Sequence, residues 1–138
     1  MARFGDVVFD CRHPASLARF WAEAVDGYAV APYDDDELER LRSMGIDDVE
    51  DDPSVLVEPP PGSGLPRLWF QRVPEAKTVK NRVHLDLFAA DVEREVARLL
   101  ALGASELHRS GTLVTLADPE GNELCVDVRE EEREEEKG

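Results

Sequence analysis

Polar and apolar positions alternate from Asp6 to Cys11, with Asp6, Val8 and Asp10 on one side and Val7, Phe9 and Cys11 on the other. A period of two predicts a strand whose apolar side packs on the core. From His13-Pro14-Ala15-Ser16 the spacing changes. Leu17, Phe20, Trp21, Ala24 and Val25 recur at helical intervals until Gly27, with Pro14 tolerated in the first turn. Phe20 and Trp21 fall within this apolar stripe and are expected in the core. Tyr28-Ala29-Val30, Ser54 to Glu58 and Arg67 to Arg72 read as further strands, and Pro59-Pro60-Pro61-Gly62-Ser63-Gly64 is a turn that cannot join a ladder.

The same order then returns. Val83 to Phe88 reads as a strand, and Asp91, a candidate N-cap, opens a helix through Val92, Val96, Leu99 and Leu100 to Gly103. Strands are predicted near Ser105 to His108, Thr112 to Leu116 and Glu123 to Val128, the last preceded by the turn Asp118-Pro119-Glu120-Gly121-Asn122. Leu17-Ala18-Arg19-Phe20-Trp21 and Val96-Ala97-Arg98-Leu99-Leu100 lie 79 residues apart, and Asp6 and His84, each opening its strand, lie 78 apart. Such a period predicts two copies of one β-α-β-β-β unit, about residues 4–73 and 81–129, within a single domain over 1–129. Residues 33–52 depart from the pattern as an acidic insert, in which Asp36 to Leu41 suits one or two helical turns before Gly45. Residues 130–138 form an acidic tail expected to be disordered.

With 138 residues, 42% of them hydrophobic, the chain can form a core without disulfides. Cys11 and Cys125 are too few for a disulfide scaffold and are expected as separate thiols. The net charge of −15 disfavours nucleic acid and anionic membrane, and it welcomes a cation. Much of that charge sits in the insert and the tail, where runs of acids usually mean solvated surface or disorder. No apolar stretch approaches the roughly 18 residues of a membrane span, and no leader pattern is visible. A cytoplasmic location is expected. His13 and His108 are expected at the surface.

The helix from Pro14 to Trp21, the pattern His84-Leu85-Asp86-Leu87, and above all Asp118-Pro119-Glu120-Gly121-Asn122-Glu123-Leu124 resemble the vicinal oxygen chelate superfamily, the glyoxalase/bleomycin-resistance/dioxygenase group. The resemblance is greatest to small bacterial glyoxalase-like domains. It implies an α+β fold of paired β-α-β-β-β modules that curl into a half-open sheet barrel with helices outside and a ligand cavity inside. It also implies a metal site at Asp6, His84 and Glu123, with Gln71 as a weak fourth candidate. At residue 6 these families more often carry histidine, glutamine or glutamate, and aspartate has a shorter reach.

Strand phase agrees with that placement. Asp6, Val8 and Asp10, then His84 and Asp86, then Glu123, Cys125 and Asp127 share faces, as do Trp69 and Gln71. Asp86, Trp69, Gln71 and Asp127 are therefore candidate cavity residues. An imidazole with one or two carboxylates suits a divalent ion such as Zn, Ni, Mn or Fe. Glu123 or Asp10 would then serve as general base in a lyase, isomerase or dioxygenase-like reaction. The alternative is a metal-free protein that binds a small, cationic molecule, similar to bleomycin-resistance proteins, since several carboxylates in one cavity call for solvent, a cation or protonation. A homodimer is expected, with the Trp69–Phe70 region as a candidate surface.

Overall fold

The computed structural model describes residues 1–129; the acidic tail at 130–138 lies outside the described residues. The chain divides into two compact units, Met1–Ala76 and the part from Lys77 onward. Each is one β-α-β-β-β module with a four-stranded mixed sheet, and the class is α+β.

In the first unit β1 (Asp6–Cys11) leads into α1 (Pro14–Ala24), followed by β2 (Ala29–Val30), α2 (Asp35–Ser43), a 3₁₀ turn (Val49–Asp51), β3 (Ser54–Glu58) and β4 (Arg67–Arg72). The sheet order is β1-β4-β3-β2, with β1 parallel to β4 and the other pairs antiparallel. The apolar stripe of α1 covers the face carrying Val55, Val57, Leu68 and Phe70. Phe9 stacks on Phe70 and meets Trp21, each with ring centroids 4.9 Å apart. Phe70 is fully buried, so it belongs to this core and not to the dimer surface expected of the Trp69–Phe70 region. Adjacent strand residues point to opposite faces, and only Trp69 lies on the other one. Gly27 ends the helical segment at φ 77°, and a Cβ there would lie 2.5 Å from Pro60 Cγ, so both backbone and space demand glycine.

The acidic insert is more ordered than its composition suggests. Asp34 caps α2 by accepting the Glu37 N–H at 2.8 Å, and acids in the first turn with Arg40 and Arg42 near the end suit the helix dipole. One apolar side chain, Leu41, anchors this helix at 2% exposure. Arg19 of α1 grips Glu50 through two hydrogen bonds of 2.8 and 2.7 Å. Most acids of the insert are indeed solvated. Asp52 is the exception, buried and accepting from the Tyr33 hydroxyl at 2.7 Å and from the Ser54 N–H at 3.0 Å.

The second unit repeats the plan with β5 (Leu85–Phe88), α3 (Val92–Leu102), β6 (Ser105–Ser110), β7 (Leu113–Ala117) and β8 (Glu123–Asp127). Its order is β5-β8-β7-β6, with β5 parallel to β8. Asp91 caps α3 by accepting the Arg94 N–H at 3.1 Å. Val96 and Leu99 of that helix are buried, as are Leu116, Leu124 and Val126 of the sheet. Cys11 and Cys125 are both buried and form no disulfide. Among the described residues no helix is long and apolar enough to cross a membrane.

Leu41 yields a stability test. Leu41→Ala removes the only buried side chain of α2 and is expected to cost about 2–5 kcal/mol, measured as a drop in the urea midpoint. A loss below about 0.5 kcal/mol would mean that the insert is only draped on the fold.

Candidate functional site

Parallel pairing brings the chemistry of each unit together, because the first and last strands of a module lie side by side. In the first unit Asp6 is the register partner of Arg67, and Val8 that of Trp69. The Asp6 carboxylate accepts from Arg67 Nε and Nη2, both at 2.9 Å, and from Trp69 Nε1 at 3.1 Å. The guanidinium also lies 5.8 Å from the Trp69 ring centre, a cation–π contact. Hydrogen bonds from Arg67 hold the Asp6 carboxyl below its usual range. At the far end of β1, exposed Asp10 accepts from Gln71 Nε2 at 3.0 Å.

In the second unit Leu85 pairs with Leu124, and extending that register by one residue sets His84 opposite Glu123. The turn before β8 is locked on Asp118, whose Oδ1 accepts from the Glu120 and Asn122 N–H groups at 2.9 and 3.0 Å. Gly121, at φ 89°, completes this turn and fixes where Glu123 begins. Glu123 is gripped in turn. Its Oε1 accepts from Lys77 Nζ at 3.2 Å and its Oε2 from the Asn81 N–H at 3.0 Å, with only 10% of the side chain exposed. Burial works to raise this carboxyl, but the hydrogen bonds from Asn81 and Lys77 outweigh it and hold it below its ordinary 4.5.

His84 faces Asp86 instead, with Nε2 3.2 Å from Asp86 Oδ1. Among the described residues, His84, Asp86 and Cys125 bring one ligand atom each to within 4.8 Å of one another, and this trio could hold a metal ion. Cys125 Sγ also lies 3.4 Å from Thr115 Oγ1. Asp127, buried at the end of β8, accepts from Thr112 Oγ1 at 2.6 Å and from the Val128 N–H at 2.7 Å.

A metal at Asp6 or Glu123 meets a chemical obstacle. Every oxygen of the two carboxylates already accepts a hydrogen bond, and each carboxylate already has a full positive charge beside it. An ion at either carboxylate would compete with Arg67 or Lys77 for oxygens that, Asp6 Oδ2 aside, each keep a second lone pair. Neither Arg67 nor the Lys77–Asn81 segment stands out as a site component in the linear sequence. The signal for the first is the β1–β4 register; for the second it is a lysine and an asparagine just ahead of His84.

The exposed face of the first sheet also carries a cavity. It is lined by Leu56 and Trp69 of the sheet and by Tyr33, Glu37 and Arg40 of the insert, with a volume of about 380 Å³. Burial pushes the Tyr33 phenol well above its usual range, and the Asp52 carboxylate adds to that. This volume suits a small organic molecule, with an aromatic face below and a carboxylate and a guanidinium at the rim.

A family model described as a glyoxalase-like domain matches residues 6–127. Solved structures share the fold at low identity. A fosfomycin resistance protein, FosX from Mesorhizobium loti, is 15% identical with a TM-score of 0.63, over 98% of both chains. The trypanothione-dependent glyoxalase I of Leishmania major is 16% identical with a TM-score of 0.61, over 99% of this chain and 94% of that one. A glyoxalase/bleomycin resistance protein/dioxygenase family enzyme from Burkholderia phytofirmans is 16% identical with a TM-score of 0.60, over 92% and 98%. A sequence comparison with curated proteins gives no match.

The grip on Glu123 has a pH signature. A carboxyl depressed in the folded state stabilises fully above its ordinary 4.5, and that contribution is lost as the pH falls through the lower folded value. Lys77→Met should raise the Glu123 midpoint, followed by carboxyl NMR, and flatten the acid limb of stability. An unmoved midpoint would show that the backbone hydrogen bonds set it without Lys77.

Proposed function

The chain belongs to the glyoxalase-like domain family, and from that premise we propose that it binds a small organic molecule over Trp69 of the first unit, with no divalent ion in that cavity. One observation carries this reading: Asp6 and Glu123 are each already neutralised by a cation of their own unit, Arg67 and Lys77. A site whose carboxylates are balanced internally has less to offer an ion, while the cavity lined by Trp69 has walls of mixed polarity. The net charge of −15 favours a cationic ligand and the Trp69 ring a planar one, while Glu37 is paired with Arg40 at 3.1 Å and adds no free charge. Binding without turnover suits such a site, and a fosfomycin resistance protein shares the fold.

The second reading is an enzyme that chelates vicinal oxygens of its substrate on a zinc, nickel, manganese or iron ion, in a lyase, isomerase or dioxygenase-like reaction. The closeness of His84, Asp86 and Cys125 is what favours it. In either reading we place the protein in the cytoplasm as a homodimer. Val8 and Phe88, 52% and 59% exposed, offer apolar area for a second copy to cover. Sedimentation at high micromolar concentration should give twice the mass of 15.4 kDa, and a monomer there would remove the dimer.

Tryptophan fluorescence tests the main reading, since Trp21 is sealed in the core and Trp69 is not. Titration with N-methylquinolinium should quench Trp69 saturably, quinoline should bind more weakly, and 1-naphthoate should not bind. EDTA should leave the first curve unchanged and Trp69→Leu should abolish it. Equal binding of all three probes, or loss of binding in EDTA, would overturn the proposal.

A further inference from the structure

We propose that His84, Asp86 and Cys125 form a thiolate metal site for zinc or a similar borderline divalent ion, with a ligand set different from the one the family resemblance implies. The placement follows from the strands. Asp86 and Cys125 are register partners on parallel β5 and β8, and His84 stands two residues before Asp86, hence on the same face. One imidazole nitrogen, one carboxylate oxygen and one sulfur lie within 4.8 Å of one another, so modest side-chain rotation brings all three to ligand bonds of about 2.0 to 2.3 Å. His84 and Asp86 are 43% and 55% exposed at their side chains, which leaves an entry path, while Cys125 is buried beneath them.

The chemistry of this trio differs from that of Asp6 and Glu123. No lysine or arginine is paired with Asp86 among the ion pairs of the described residues, and its contact is the imidazole itself. A thiolate selects zinc and its borderline neighbours over magnesium, calcium or manganese. Three protein ligands leave a fourth position open for water or another small ligand. Binding converts the Cys125 thiol to thiolate, so one proton leaves for each ion bound. Thr115 Oγ1, 3.4 Å from the sulfur, is placed to donate to the thiolate once it forms.

The inference does not depend on the Trp69 cavity, and Trp69→Leu should leave it untouched. Cobalt(II) is the probe. Titration into the full chain should give one equivalent of binding, with a near-ultraviolet thiolate-to-cobalt charge-transfer band that one equivalent of zinc removes. Cys125→Ser should lose the band and at least a hundredfold in affinity, whereas Cys11→Ser should retain both. Calorimetry in two buffers of different ionisation enthalpy should report about one proton released per ion. Should Cys125→Ser fail to fold, zinc protection of Cys125 against iodoacetamide in the wild-type chain reads the same contact. No cobalt uptake, a band that survives Cys125→Ser, or alkylation unchanged by zinc would each overturn the site. Uptake lost in Glu123→Gln and kept in Cys125→Ser would assign the ion to the other ligand set.

Discussion

Each unit depends on the parallel pairing of its first and last strands. A tight turn cannot join parallel strands, so the chain between them must travel through a helix and two further strands before it returns. That detour creates the module and supplies the helix that buries one face of the sheet. It also places side chains from opposite ends of the unit next to each other. Asp6 and Arg67 are 61 residues apart and yet share two hydrogen bonds. His84 and Glu123 take the corresponding positions in the second unit. The repeat therefore preserves a geometry while changing its chemistry, from an acid–base ion pair in one copy to an imidazole and a carboxylate in the other.

A net charge of −15 suggests a site lined with unbalanced acid. The carboxylates nearest the strand starts are instead each paired with a cation. Two cations are spent on Asp6 and Glu123, and the excess negative charge is left to the solvated insert and to residues beyond 129. Keeping the field of the whole molecule separate from the charge of one site is physically sensible. A buried, uncompensated carboxylate is costly, whereas surface acids are solvated and screened.

Elements governed by local spacing were legible in the sequence. The two-residue period of β1, the stripe of α1, the Asp91 cap and the glycines after both long helices each follow from a few adjacent residues. So does the phase that puts His84 with Asp86 and separates Trp69 from Phe70. Leu41 was harder to see, because Leu38 and Leu41 make only one helical step among charged residues and nothing in that spacing says which of them is buried. The partners of the candidate residues were not legible at all. Arg67 reaches Asp6 only through a long-range register, and Lys77 sits in a polar stretch that reads as a connector.

Lys77 is also the first residue of the second unit, and this gives the boundary an unusual character. A seam between repeated modules is ordinarily the place where a chain tolerates cutting, lengthening or rejoining. Here the residues immediately after the seam hold both oxygens of Glu123, so the join has become part of the later module. Any rearrangement that reorders the units must carry residues 77–81 with the second, and the true point of free exchange lies on the Ala76 side.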